Sequence, residues 1–211
     1  MRVRVLLVAV VLALVSAVAS AQVDICGASG TFSVKPNTGG TSPSHNAVGS
    51  TKSIKVGAFA DRRDGGPYPD LVGIWWSSAS DCQTGISTSF QMRTDSLFAT
   101  NTHGNIVPGT YCMNGSTTAG DPSIFVDLFY PGRTCASFQG TIRVSTATFV
   151  YNALGNAILT RFGATFNGVC TGDAIGINGS ISFSNPGLNF KTRPSNTNPT
   201  KPGVCSTAGG S

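Results

Sequence analysis

The chain has 211 residues, with 14 lysines and arginines, nine acidic residues that are all aspartate, and two histidines. The excess of positive charge lies outside the central part of the chain, because residues 66–190 hold four basic and six acidic residues, a net charge of −2. A nucleic-acid-binding module concentrates basic residues on its folded face, so this distribution argues against nucleic acid as a partner.

Residues 1–21 are predicted to be a secretory signal peptide. Arg2 and Arg4 precede an apolar run, and small residues lead to a cleavage site after Ala21, so the mature chain is predicted to start at Gln22. The apolar run is short and close to that site, which disfavours stable membrane insertion, although a retained signal anchor is the alternative. We therefore expect a secreted, extracellular protein.

The composition predicts an all-β protein. With 26 glycines, 11% charged residues and no glutamate, the chain favours short strands and turns over helices. The expected architecture is one antiparallel β-sandwich, or a barrel-like relative of it, over residues 22–190. Residues 191–211 are rich in Pro, Asn and Thr and are expected to form an extended tail pinned by Cys205.

Alternation of apolar and polar residues, or a strand-like composition, predicts the strands, and Gly, Pro, Ser and Asn mark the turns between them. Residues 35–53 have little apolar content and are expected to form a surface loop. A hairpin is expected around an Asn/Gly turn at residues 152–156. Ile86 is expected on the same strand face as Phe90 and Met92. In chain order, the predicted strands are residues 30–34, 54–60, 71–77, 86–93, 97–99, 106–112, 123–130, 141–151, 157–166 and 179–183.

Six cysteines in an exported chain predict three disulfides. Fifteen pairings are possible in principle, and no Cys-x-x-Cys spacing supports a zinc ribbon or a redox site. If each bridge closes a unit that is continuous in the chain, the pairs are Cys82–Cys112, Cys135–Cys170 and, between the two ends, Cys26–Cys205.

Four short segments share a pattern of Gly, Cys and aromatic residues: Pro108-Gly109-Thr110-Tyr111, Gly132-Arg133-Thr134-Cys135, Phe162-x3-Phe166-x3-Cys170-x-Gly172 and Gly179-x-Ile181. Together they resemble an uncharacterised β-rich domain of secreted, mostly bacterial proteins. The similarity covers roughly residues 56–183. The resemblance implies a β-rich fold and a Cys135–Cys170 disulfide. No activity is established for the family, so the resemblance implies none for this chain. This chain differs in Thr171, where the family often has an acid, and in its four other cysteines.

Residue types that support catalysis are scarce, so we lean against an enzyme. His45 lies in the predicted N-terminal loop and His103 in a predicted turn, and no Gly-x-Ser-x-Gly elbow is present. A secreted hydrolase that uses aspartate carboxylates remains the alternative, with Asp70 and Asp81 as the residues to test.

Metal binding has only weak support. The loop that contains Asp61, Asp64 and Asp70 offers oxygen ligands for calcium, but its spacing matches no EF-hand. Arg62 and Arg63 lie in the same loop and oppose a cation there. We expect neither a metal site nor another cofactor.

Aromatic residues give the better argument for a ligand. Tyr68, Trp75 and Trp76 cluster near Asp70, and these four are the candidate ligand-binding residues. Neighbouring residues in a strand point to opposite faces, so one tryptophan is expected in the core and the other outside.

The expected role is that of a binding or structural module whose partner is a glycan or an extracellular protein. Asn114 and Asn178 begin glycosylation sequons, which matter if the host is a eukaryote. A Thr/Ser surface that meets ice or mineral is a third hypothesis, although no regular Thr-x-Thr array supports it.

Overall fold

The computed structural model describes residues 25–37, 44–49, 54–61, 69–93, 106–114, 125–131, 133–135, 138–152, 155–170 and 176–185. These residues form eleven strands and include no helix, so no membrane-crossing helix occurs among them. The predicted signal peptide, the 191–211 tail, the strand at 97–99, Tyr68 and His103 lie outside these ranges. The strands are β1 (Ile25–Pro36), β2 (His45–Gly49), β3 (Lys55–Asp61), β4 (Leu71–Ser77), β5 (Ile86–Arg93), β6 (Gly109–Asn114), β7 (Phe125–Tyr130), β8 (Arg133–Cys135), β9 (Phe138–Tyr151), β10 (Ala157–Cys170) and β11 (Gly176–Ser184).

The strands form one antiparallel sheet that curls, in the order β6-β9-β10-β11-β1-β3-β4-β5-β7-β8, with β2 paired to β1. The sheet has two parts, and strand β1 belongs to both. Its residues Ser29 to Pro36 pair with β11, whereas Ile25 to Ala28 pair with β3. A bulge at Gly27, with φ of +96°, lets the strand turn between them. We call the part built from β6, β9, β10, β11 and β2 the β10 half, and the part built from β3, β4, β5, β7 and β8 the β4 half.

Aromatic rings from the two halves pack against each other in the core. Phe32 of β1 lies 5.7 Å from Trp76 of β4, measured between ring centroids, and Phe90 of β5 lies 5.6 Å from Phe162 of β10. Trp76 is fully buried and its Nε1 donates to the Gly30 carbonyl at 3.2 Å. The curled sheet therefore buries one face along its length and leaves the other outside.

The central hairpin confirms the strongest sequence prediction. Strands β9 and β10 pair over their whole length around a turn closed by Asn152 and Asn156, whose backbone groups hydrogen-bond at 3.1 Å. The Asn152 side chain accepts from the Asn156 N–H at 2.9 Å, and Gly155 has a φ of +79°. Asn and Gly, the two residue types at these positions, are favoured in tight turns: Asn bonds to nearby backbone and Gly tolerates a positive φ.

Two local predictions are wrong. Residues 35–53 are not one loop, because residues 45–49 form β2 against β1 and Ala47 enters the core. Ile86 does not share the buried face of Phe90, because a bulge shifts the β4–β5 register after Trp76 and leaves Ile86 41% exposed. In both places pairing with a neighbouring strand overrides the local pattern.

The disulfides correct two predicted pairs. Cys26 is bonded to Cys82, so the predicted Cys26–Cys205 and Cys82–Cys112 links are wrong. The reason is topological: β1 pairs with β3 and β3 with β4, which brings Cys26 beside the loop that follows β4. Cys112 is also disulfide-bonded, and Cys205, its remaining candidate in the sequence, lies outside the described residues.

The Cys135–Cys170 prediction is confirmed. Cys135 lies in β8, at the edge of the β4 half, and Cys170 ends β10. This bridge therefore fastens the two halves of the curled sheet to each other.

Candidate functional site

The structure separates the predicted ligand-binding residues that it describes. Trp76 and Asp70 are fully buried, and Tyr68 lies outside the described residues. Trp75 is half-buried on the outer face of the β4 half. Of the described candidates, only Trp75 is placed where a ligand can reach it.

On this outer face, two aromatic rings each lie across a glycine of the neighbouring strand. The register pairs Trp75 with Gly57 and Phe59 with Gly73. A Cβ on Gly57 would come within 2.4 Å of the Trp75 ring, and one on Gly73 within 2.2 Å of the Phe59 ring. Because neither glycine has a side chain, both rings can lie low against the sheet, with their centroids 5.7 Å apart.

A third aromatic residue extends this surface. Trp75 is opposite Ser89 of β5, and Ser89 is opposite Phe129 of β7, so all three project from the same face of the sheet. Phe129 is 39% exposed. Two strand spacings, roughly 10 Å, separate Trp75 from Phe129, with Ser89 and Gln91 between them. We call Phe59, Trp75, Ser89, Gln91 and Phe129 the aromatic face.

The loop from Ser78 to Gly85 holds Trp75 in position. Trp75 Nε1 donates a hydrogen bond to the Cys82 carbonyl. Cys82 is disulfide-bonded to Cys26, which is opposite Gly57 in the cross-strand row that contains Trp75. Cys82 has a φ of +56°, and Asp81 accepts from the Gln83 N–H at 3.0 Å. The loop is therefore compact, and it fixes one edge of the indole.

The two aspartates named for the hydrolase alternative lie in different surroundings. Asp70 is fully buried, whereas Asp81 is exposed in its turn. Backbone N–H groups of Gln83 and Thr84 lower the pKa of Asp81, so its carboxylate stays ionised and is used within the turn. Among the described residues, no three His, Cys, Asp or Glu side chains come together as metal ligands.

His45 is a structural residue between the two halves. Its Nε2 lies 2.8 Å from the Thr88 hydroxyl, and its ring stacks on Tyr130 at an interplanar angle of 12°. Burial lowers the pKa of His45, because the charged imidazolium is disfavoured in this apolar setting.

Acidification should therefore destabilise the fold through His45. In the unfolded chain a histidine takes up a proton near pH 6.5, whereas in the folded protein His45 does so only at lower pH. The unfolded state then binds more protons, so the free energy of unfolding should fall as pH drops from 7 to 5. Urea titrations at pH 7, 6 and 5 measure this, and a His45→Gln variant should show a shallower fall. Equal slopes in the two proteins would contradict this role.

The sequence contains a signal for the aromatic face. Gly57-x-Phe59 and Gly73-x-Trp75 both place a glycine two residues before an aromatic residue. In antiparallel register, each aromatic then falls opposite the glycine of the other strand. The sequence has no comparable signal for Phe129. Its neighbour Ser89 is identified only by the register between β5 and β7.

Comparison with family models, curated proteins and solved structures found no match to this chain.

Proposed function

We propose that this protein is a secreted β-sandwich, braced by disulfides, that binds carbohydrate through the aromatic face. We also propose that it shares its fold with the uncharacterised β-rich secreted domain that its cysteine and glycine segments resemble. The observation that carries the proposed function is the pair of aromatic rings that lie across glycines of the neighbouring strand on the outside of the sheet.

Flat aromatic rings suit sugars because an apolar ring face packs against the C–H groups of a sugar ring. Trp75 and Phe59 offer such surfaces, and Phe129 adds another at a distance that fits a short oligosaccharide. Ser89 and Gln91 lie between the aromatics and can exchange hydrogen bonds with sugar hydroxyls. Both polar side chains are uncharged, so the strip between Trp75 and Phe129 suits uncharged sugar units.

Replacing Phe129 by serine should weaken glycan binding about tenfold, which corresponds to roughly 1.4 kcal/mol. Phe129 is exposed, so its replacement should leave the fold intact. A glycan array should first identify a neutral ligand, and calorimetry should then compare wild type and variant. Val48→Ser is the matched control, because Val48 is an exposed apolar residue, at 47%, on the β10 half.

A Gly57→Val variant tests the geometry with every aromatic residue kept. The added side chain would force the Trp75 ring away from the sheet, so binding should weaken as it does for Phe129→Ser. A glycan array without any hit, or equal affinities for wild type and both variants, would contradict carbohydrate binding at this face.

A further inference from the structure

A groove of about 460 Å³ crosses the outer face of the β10 half. It runs over four neighbouring strands, β1, β11, β10 and β9, and its side chains form two rows set by the strand register. The first row is Lys35, Asn178, Asn167 and Thr141, and the second is Ser33, Ser180, Thr165 and Arg143.

Positive charge lies at opposite corners of the groove. Lys35 starts one row and Arg143 ends the other, so three strand spacings, roughly 14 Å, separate their strands. Both side chains are exposed, and none of the described residues that line the groove is acidic. The groove is therefore complementary to an elongated ligand with negative charges that are spaced along its length.

The centre of the groove is polar and partly preorganised. The Asn178 side-chain amide donates to the Asn37 side-chain carbonyl at 2.8 Å, which fixes its orientation. Thr165, Ser180 and Asn167 are exposed beside it and carry donors and acceptors of the kind that bind hydroxyl groups.

The floor beneath these side chains is closely packed. A Cβ on Gly179 would lie 2.2 Å from both the Phe166 ring and the Ser33 carbonyl oxygen. The Phe166 ring is buried directly under the groove, and it supports the strands that carry the two rows. This packing gives the polar side chains a rigid base.

We propose that the groove is a second binding site, which takes an acidic oligosaccharide. Lys35 and Arg143 bind carboxylate or sulfate groups on separate sugar units, and the Asn, Ser and Thr side chains between them bind sugar hydroxyls. The site shares no residue with the aromatic face and does not depend on carbohydrate binding there.

Calorimetry with the full mature chain, produced in a bacterial host so that Asn178 carries no glycan, tests this site. Oligogalacturonate and a dextran sulfate oligosaccharide are the carboxylated and sulfated probes. We expect at least one of them to bind, and Lys35→Gln and Arg143→Gln each to weaken it about tenfold. Phe129→Ser should leave this affinity unchanged, so failure here and failure at the aromatic face are distinguishable.

Two further variants separate a shaped site from general attraction between charges. Arg161→Gln removes an exposed cation on β10 four residues from Thr165 and outside the groove, and should change affinity less than twofold. Thr165→Tyr keeps the charge but fills the centre of the groove, and should abolish binding. If neither probe binds, if Arg161→Gln weakens binding as much as Arg143→Gln, or if Thr165→Tyr binds as wild type, the proposal is overturned.

Discussion

Replacing Trp76 by alanine should lower the free energy of unfolding by about 4 kcal/mol, within the range for removing a large aromatic side chain from a core. Trp76 is fully buried and packs on Phe32 across the two halves of the sheet. Its ring also lies against Gly30 of β1 and Gly49 of β2, positions where a Cβ would come within 3.5 Å and 3.0 Å of ring atoms. Backbone of the paired strands would line part of the cavity left by alanine, and this backbone cannot collapse into it.

Chemical denaturation of wild type, Trp76→Ala and Trp75→Ala measures the difference between the two neighbours. Trp75 is half-buried on the outer face, so its removal should cost less than half as much. Acrylamide quenching gives a second readout, because the chain has only these two tryptophans. Fluorescence of Trp75→Phe should resist quenching, whereas that of Trp76→Phe should be quenched. Equal stability losses would show that the two indoles are not on opposite sides of the sheet.

Alternation and composition together were sufficient to predict most of the sheet. The β9–β10 hairpin follows from apolar residues at every second position and from an Asn/Gly turn, whereas strand β4 follows from its run of aliphatic and aromatic residues. The same reasoning missed β2, because His45 and Asn46 make that segment look like a loop. Its pairing with β1 and the burial of Ala47 depend on contacts that are distant in sequence.

The candidate site was predictable only in part, since it depends on register. The sequence indicated that one of Trp75 and Trp76 faces outward, and the structure identifies it as Trp75. The partners of Trp75 are Gly57 and the Cys82 carbonyl, which come from two different segments. The groove with Lys35 and Arg143 combines strands that are about a hundred residues apart in the chain, so no local pattern could have shown it.

The Cys26–Cys82 bridge also depends on strand register. It joins residues 56 positions apart, which meet only after β1, β3 and β4 have paired. Replacing both cysteines by alanine should lower the free energy of unfolding by about 4 kcal/mol, from the chain entropy regained by a loop of this length. It should also weaken binding at the aromatic face, since the bridge anchors the loop whose carbonyl accepts from Trp75 Nε1.

A Cys135→Ala, Cys170→Ala double variant is the matched control for that second effect. Its bridge spans 35 positions, so its removal should cost a similar amount, about 4 kcal/mol. It fastens β8 to β10, and Cys135 is opposite the buried Leu128, on the other side of the sheet from Phe129, so neutral-glycan affinity of the folded protein should stay near the wild-type value. Denaturation curves and calorimetry below each unfolding midpoint separate the two effects. If both double variants lose glycan affinity equally, the Ser78 to Gly85 loop has no particular role in holding the aromatic face.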